Sequence, residues 1–129
     1  MDLVDSLRRA LADEPRVTAA WLFGSRARGR ARADSDVDVA VWCARPLADP
    51  LERFDIADAL TERVGAPVDL VLLDASPADL VHRVFRDGVL LIDRDKTARL
   101  RMEVQRRNEY FDMAPIWRAV RGLPAGAEP

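Results

Sequence analysis

Several residue types that many active sites depend on are nearly absent from this chain of 129 residues. Cys43 is the only cysteine, so no internal disulfide can form, which is typical of proteins from a reducing compartment. Lys96 is the only lysine, which argues against a lysine nucleophile and leaves arginine as the main cation. His82 is the only histidine, and we interpret it as a half-exposed helix residue rather than a base.

Long apolar runs are missing as well. No stretch approaches the ~20 residues needed to span a bilayer, and the first residues are acidic where a signal peptide would be basic. We therefore predict a cytoplasmic protein without membrane association. The net charge of −2 argues against direct nucleic-acid binding, because such domains are usually strongly basic.

The apolar periodicity predicts one α/β (α+β) domain over residues 1–121, a mixed sheet backed by helices, followed by a disordered tail at 122–129. The predicted helices and strands alternate along the chain. They are a helix from Asp2 to Ala12, strands Val17–Phe23 and Asp36–Trp42, a helix Leu51–Val64 ended by Gly65, a strand Val68–Leu73, a helix capped by Ser76-Pro77 and reaching about Phe85, a strand Gly88–Ile92, and a helix from Arg94 to about Asp112, stopped by Pro115.

Three aspartates stand in strand segments, where aspartate is normally disfavoured. Asp36 and Asp38 are two residues apart, so their carboxylates project from the same face of a strand. Asp69 is alone in an otherwise apolar run, where an unpaired carboxylate would be costly. Mg²⁺ prefers oxygen ligands and is commonly held by one or two carboxylates together with substrate phosphates. The three residues therefore indicate a metal site.

A tight turn precedes this acidic strand. Gly24 and Ser25 end the first strand and offer accessible backbone N–H groups and a hydroxyl, all of which suit phosphate oxygens. Arg26 and Arg28 follow, and their guanidinium groups could pair with outer phosphates. We predict a nucleotide-binding turn formed by these four residues.

The pattern Gly-Ser, ten residues, then Asp-x-Asp resembles the polymerase-β-like nucleotidyltransferase superfamily. The fuller text, Gly-Ser-Arg-Ala-Arg-Gly followed by Ser-Asp-x-Asp, is similar to its minimal branch, known as MNT. The end of the last helix, Arg106 to Asp112, also resembles the corresponding part of MNT antitoxins. The resemblance implies a nucleotidyltransferase fold like the polymerase-β palm.

The resemblance also implies an activity. Gly24 and Ser25 would bind the β- and γ-phosphates, Asp36 and Asp38 would hold two Mg²⁺ (or Mn²⁺) ions, and Asp69 would ligate the ion nearer the attacking hydroxyl. AMP would pass from ATP to a tyrosine of a partner HEPN ribonuclease toxin by in-line displacement, with release of pyrophosphate. The toxin would be silenced within a hetero-oligomer, and the chain would act as an antitoxin enzyme.

Two other functions remain open at this point. The chain could transfer a nucleotide to a small molecule such as an aminoglycoside, with a partner chain completing the pocket. It could instead neutralise a toxin by binding alone. The intact set of carboxylates argues against the second alternative.

Aromatic residues near the end of the last helix predict a partner surface. Tyr110, Phe111 and Trp117 lie close together in a polar segment, and exposed clusters of this kind usually mark interfaces. The alternative is core packing, since Phe111 continues a stripe begun by Leu100 and Val104 and could face the sheet.

Overall fold

The computed structural model describes residues 2–27 and 36–128. Its elements follow the predicted order of helices and strands, with one short 3₁₀ turn added at Leu73–Ala75. They are helix α1 (Leu3–Ala12), strands β1 (Ala19–Phe23) and β2 (Val37–Trp42), helix α2 (Glu52–Val64), strand β3 (Val68–Leu72), helix α3 (Ala78–Asp87), strand β4 (Val89–Asp93) and helix α4 (Lys96–Val120).

The four strands form one mixed sheet in the order β3-β2-β1-β4. Strand β1 lies antiparallel to both β2 and β4, whereas β2 and β3 run parallel and are joined through α2. The mixed α/β architecture predicted from the sequence is confirmed. Helix α2 ends at Gly65, as predicted, where a left-handed backbone (φ 73°) terminates the helix.

The alternation of β2 assigns its side chains to two different layers. Val37, Val39 and Val41 are fully buried against α1 and α2 on one face of the sheet. Ala40 and Trp42 pack on the opposite face, in the cluster that includes α3 and the buried Met102 of α4. Asp38 belongs to this second face, since it lies two residues before Ala40.

Helix α4 is where the structure departs furthest from the sequence prediction. It continues through Pro115 to Val120 instead of stopping there. An interior proline removes one backbone hydrogen bond and costs about 3 kcal/mol, but the residues around it are held by packing. Ala114 is buried, and the Tyr110 ring lies 5.7 Å from the ring of Trp117, two residues beyond the proline. These contacts offset the local penalty.

The predicted serine cap of α3 is also wrong. The Ser76 hydroxyl donates a hydrogen bond to the carbonyl of Leu72 (2.8 Å), so it closes the turn after β3 rather than capping the helix. Pro77 occupies the N-cap position and makes no side-chain cap hydrogen bond. The Arg106 guanidinium donates to the Ser76 carbonyl (2.5 Å) and so ties α4 to the start of α3.

The last described residues return to α3 and α4. Arg118 donates to the carbonyl of Ala127, and Glu128 forms an ion pair with Arg86. Disorder of the tail from residue 122 onward stays a prediction. None of the helices within residues 2–27 and 36–128 is long and apolar enough to cross a membrane.

Arg94 fastens the far end of the sheet to the end of α1. Its Nε donates to the carbonyl of Val17 (2.9 Å), and its Nη2 donates to the carbonyls of Leu11 (2.7 Å) and Ala12 (3.1 Å). The carbonyls at the end of a helix have no partner within it, so a cation there is favourable twice over.

We expect Arg94→Ala to lower the free energy of unfolding by about 1–3 kcal/mol, because hydrogen bonds to a charged donor are worth about this much. Urea denaturation followed by circular dichroism measures the change. Arg101→Ala, which removes an exposed arginine from α4, is the matched control and should alter stability by less than about 0.5 kcal/mol. Equal stabilities of the two variants would contradict the anchoring role.

Candidate active site

Asp38 and Asp69 lie side by side at one edge of the sheet. They are register partners in the parallel pairing of β2 with β3, and side chains of such partners project from the same face. Neighbouring strands are about 4.8 Å apart, so the two carboxylates share one small region. Asp38 is half-buried, whereas Asp69 is exposed to solvent. The pair therefore has an inner and an outer carboxylate.

Asp36 adds a third negative charge to this edge of the sheet. We call the region formed by Asp36, Asp38 and Asp69 the acidic edge. It directly precedes β2 and is exposed. Burial raises the pKa of the Asp38 carboxyl, and the negative charges of Asp69 and then of Asp36 raise it further. Each of these causes disfavours the ionised form of Asp38, so a cation at this edge would relieve an unfavourable charge arrangement.

Gly24 approaches the same carboxylate from β1. Phe23, the last residue of β1, is the register partner of Asp38, and Gly24 follows it with φ +75°. A Cβ atom added to Gly24 would lie 2.3 Å from Oδ2 of Asp38. Only glycine leaves room here for the carboxylate, and it also adopts the left-handed backbone at little cost.

The remaining residues of the predicted nucleotide-binding turn are placed in part. Ser25 and Arg26 follow Gly24 in the turn after β1, and both are half-buried. They therefore adjoin the edge that carries Asp38. Arg28 lies outside the described residues, as do residues 29–35.

The donor set suits a hard divalent cation in its chemistry. All three side chains offer carboxylate oxygens, the ligands that Mg²⁺ prefers. Within the described ranges, however, no three acidic, histidine or cysteine side chains are already grouped as a ready-made ion cage. Magnesium commonly takes one or two protein carboxylates and completes its shell with water and phosphate, and the Asp38–Asp69 pair fits that mode of binding.

The predicted partner residues are arranged differently from the expectation. Tyr110 is only 4% exposed, and its ring stacks on His82 with the centroids 3.7 Å apart. Phe111, by contrast, is 57% exposed, and Leu100 and Val104 are 44% and 51% exposed. The stripe that could have faced the sheet thus faces solvent. Trp117 is half-buried against Tyr110.

Sequence reasoning missed the direct contact between the Gly24 backbone and Asp38. The glycine was interpreted only as a phosphate-binding turn residue. Its second role depends on the register of β1 against β2, which no local pattern reveals. A glycine that directly follows a strand and stands ten or more residues before an acidic strand is the one available signal.

Comparison with known proteins gives a consistent answer. Residues 5–97 match the family described as polymerase beta, nucleotidyltransferase. The protein adenylyltransferase MntA of Shewanella oneidensis is 34% identical over 74 residues, which cover 57% of this chain and 52% of that protein. The matched segment thus spans about half the length of this curated relative.

Solved structures resemble nearly the whole chain. A crystal structure of a toxin–antitoxin with AMP-PNP contains a chain that is 26% identical, with a TM-score of 0.79 over 94% of this chain and 97% of that one. A chain of the MntA–HepT toxin–antitoxin structure is 25% identical, with a TM-score of 0.71 over 92% and 93%. Fold, family match and acidic edge agree, and the chain belongs to the polymerase β nucleotidyltransferase family.

Proposed function

We propose that this chain is an antitoxin enzyme that transfers AMP from ATP to a tyrosine hydroxyl of a partner HEPN toxin. The observation that carries the proposal is the acidic edge, where Asp38 and Asp69 are register partners and Gly24 contacts Asp38. The relatives support the choice of reaction and partner, because one is named a protein adenylyltransferase and others are toxin–antitoxin complexes. One of these complexes is a crystal structure with AMP-PNP, an analogue of ATP, which supports ATP as the nucleotide donor.

The turn after β1 would hold the triphosphate. The Gly24 backbone leaves space for close approach, and the N–H groups and hydroxyl of Ser25 can donate to phosphate oxygens. Arg26, and Arg28 outside the described residues, would pair with the outer phosphates. The turn and the acidic edge would then grip the same triphosphate from two sides.

The two register partners would divide the chemistry between them. Asp38, the inner carboxylate, faces the nucleotide side together with Asp36. Asp69, the outer carboxylate, is exposed where a hydroxyl from another protein can arrive. In the reaction, the hydroxyl oxygen bonds to the α-phosphorus, the bond to the β-phosphate oxygen breaks, and pyrophosphate leaves. Asp69 would position the hydroxyl and favour loss of its proton.

Asp36, Asp38 and Asp69 would hold divalent cations, which we assign as two Mg²⁺. When bound, such ions neutralise the carboxylates and stabilise charge on the attacking and leaving oxygens. This assignment agrees with the raised pKa of Asp38, whose causes include both neighbouring carboxylates.

The exposed stripe of α4 would contribute to docking the toxin. Leu100, Val104 and Phe111 are large apolar side chains on the face that α3 does not cover. Phe111 is the candidate anchor for the toxin, and Trp117, which packs beside Tyr110, would support it. Tyr110 is buried, so it would support the helix that forms the docking surface and would not itself contact the toxin.

The central experiment follows AMP from α-labelled ATP to a HEPN toxin in the presence of Mg²⁺. We expect Asp38→Asn and Asp69→Asn each to lower the transfer rate by about 100-fold or more, since lost electrostatic stabilisation usually costs this much. Asp69→Asn should retain ATP binding in calorimetry, because its role concerns the hydroxyl. Asp38→Asn should melt at a higher temperature than wild type without metal near neutral pH, as it removes an unfavourable charge.

The matched control for these variants is Asp58→Asn, which neutralises an exposed carboxylate on α2, on the opposite face of the sheet. It should transfer AMP at the wild-type rate. Retention of more than about a tenth of the rate by Asp38→Asn would refute the proposed site.

A pair of glycine variants separates the contact with Asp38 from backbone strain. Gly24 and Gly65 both have positive φ, +75° and +73°, but a Cβ at Gly65 meets nothing within 4 Å. We expect each alanine variant to lose about 1–2 kcal/mol of unfolding free energy. Only Gly24→Ala should also lose AMP transfer, because its methyl group displaces the Asp38 carboxylate. Equal transfer rates in the two variants would show that this contact is irrelevant to activity.

A third set of variants examines docking. Phe111→Ala should weaken the complex with the toxin by about 1–2 kcal/mol and leave the melting temperature of the free chain unchanged. Tyr110→Ala should lower that melting temperature, since it removes a buried ring. Leu51→Ala, at an exposed apolar residue before α2, serves as the control and should bind normally. Normal binding by Phe111→Ala would exclude the stripe as the docking surface.

A further inference from the structure

A cationic pocket lies between α3 and α4, lined by side chains that the proposed reaction does not use. Its volume is about 310 Å³, and its walls include His82, Arg83, Arg86, Arg121 and Asp79. The last described residue, Glu128, also lines it. We call this space the arginine pocket.

The arginine pocket already contains a carboxylate of the chain itself. Oε1 of Glu128 pairs with Nη1 of Arg86 and lies 3.7 Å from Nε2 of His82. The segment that delivers Glu128 is tied back at one more point, where the Arg118 guanidinium donates to the carbonyl of Ala127. Because Glu128 is half-exposed, a competing carboxylate can reach the pocket from solvent.

Arg86 is oriented for this task by its neighbour in the chain. Its Nε and Nη2 donate to the two carboxylate oxygens of Asp87, at 3.0 and 2.7 Å. This bidentate pairing fixes the plane of the guanidinium group. The remaining nitrogen, Nη1, is thereby directed to the pocket and to Glu128.

Two stacked aromatic rings, His82 and Tyr110, line the arginine pocket. The imidazole of His82 stacks on the Tyr110 ring with an interplanar angle of 3°. Burial lowers the pKa of His82, and the charges of Arg86 and Arg107 lower it further, which disfavours the charged form of the imidazole. The positive charge of the pocket therefore belongs to its arginines.

Cations outnumber carboxylates in the pocket even with Glu128 present. Among the residues that the structure describes, Arg83 and Arg121 form no ion pair with a carboxylate, and both are exposed. When Glu128 leaves, the guanidinium groups of Arg83, Arg86 and Arg121 share one lining carboxylate, Asp79, while Asp87 stays paired with Arg86. From this geometry we infer that the arginine pocket binds a carboxylate side chain from an acidic segment of a partner protein, and that Glu128 is its intramolecular substitute.

The contacts favour a carboxylate over nucleic acid as the ligand. A carboxylate is the group that the pocket holds in this structure. Tyr110 is buried and its ring is covered by His82, so this ring is not open for a base to stack on. Asp79 in the pocket wall would also repel a doubly charged phosphate more than a single carboxylate.

The identity of the partner as the acceptor protein rests on the proposed function, but the pocket itself does not. Binding to the pocket can be measured without ATP, metal or toxin. Failure of AMP transfer and failure of carboxylate binding are therefore separate results.

His82 provides a unique reporter, because it is the only histidine of the chain. Its imidazole signals in proton–carbon NMR spectra can be followed while hexaglutamate is added to wild type and to Glu128→Gln. We expect Glu128→Gln to bind the peptide about two- to fivefold more tightly, the range that loss of a partly exposed competing ion pair predicts. Adding Arg86→Gln to this variant should abolish the saturable shift.

Glu62→Gln, at an exposed glutamate of α2, is the matched control and should bind the peptide as wild type does. The other resonances of each variant report whether it is folded, and Arg86→Lys keeps the charge if Arg86→Gln unfolds. The inference is overturned if Glu128→Gln binds hexaglutamate no more tightly than wild type. It is also overturned if inorganic phosphate or a short single-stranded RNA binds more tightly than the peptide.

Discussion

The geometry of the candidate site depends on strand β2, which is packed against other elements on both faces of the sheet. Strand β2 carries Asp38, its neighbour β3 carries Asp69, and Gly24 directly follows its other neighbour, β1. Val37, Val39 and Val41 are fully buried, and a slip by one residue would turn these valines to the other face. Their burial thus fixes the register, and the register places Asp38 beside both Asp69 and Gly24. The packing of the valines on one face of β2 thus determines where the Asp38 carboxylate lies on the other face.

The sequence alone predicted most elements and the chemical type of the site. Periodicity was sufficient for β2, because each of its faces meets a different layer. The pairing of Asp38 with Asp69 could not be predicted, since it is decided by how α2 returns the chain to the sheet. The approach of Gly24 to Asp38 is a consequence of the same tertiary register. Local patterns named the candidate ligands, and long-range packing alone sets the distances between them.

Helix α4 shows why apolar periodicity failed at one element. Its buried face includes Arg99, which pairs with Asp93 and Glu103 at 2.9 Å each. Counting apolar residues treats an arginine as exposed, which is why the sequence left core packing open as the alternative for the Leu100, Val104 and Phe111 stripe. The charged side chain is buried because its partners come from β4 and from the next turn of α4. The apolar residues of that stripe are exposed, which excludes the alternative of core packing for Phe111.

The crossover through α2 has a consequence for how the site comes into being. Strands β1 and β2 are neighbours in both sequence and space, whereas β2 and β3 are separated in sequence by α2 and pair through this crossover. Contacts between distant parts of a chain require more loop-closure entropy and form later than local ones. We therefore expect Asp38 to take its place in the sheet before Asp69 pairs with it. A local opening of α2 and β3 would dismantle the acidic edge while the β1–β2 ladder persists, so the proposed activity would be lost before most of the sheet unfolds.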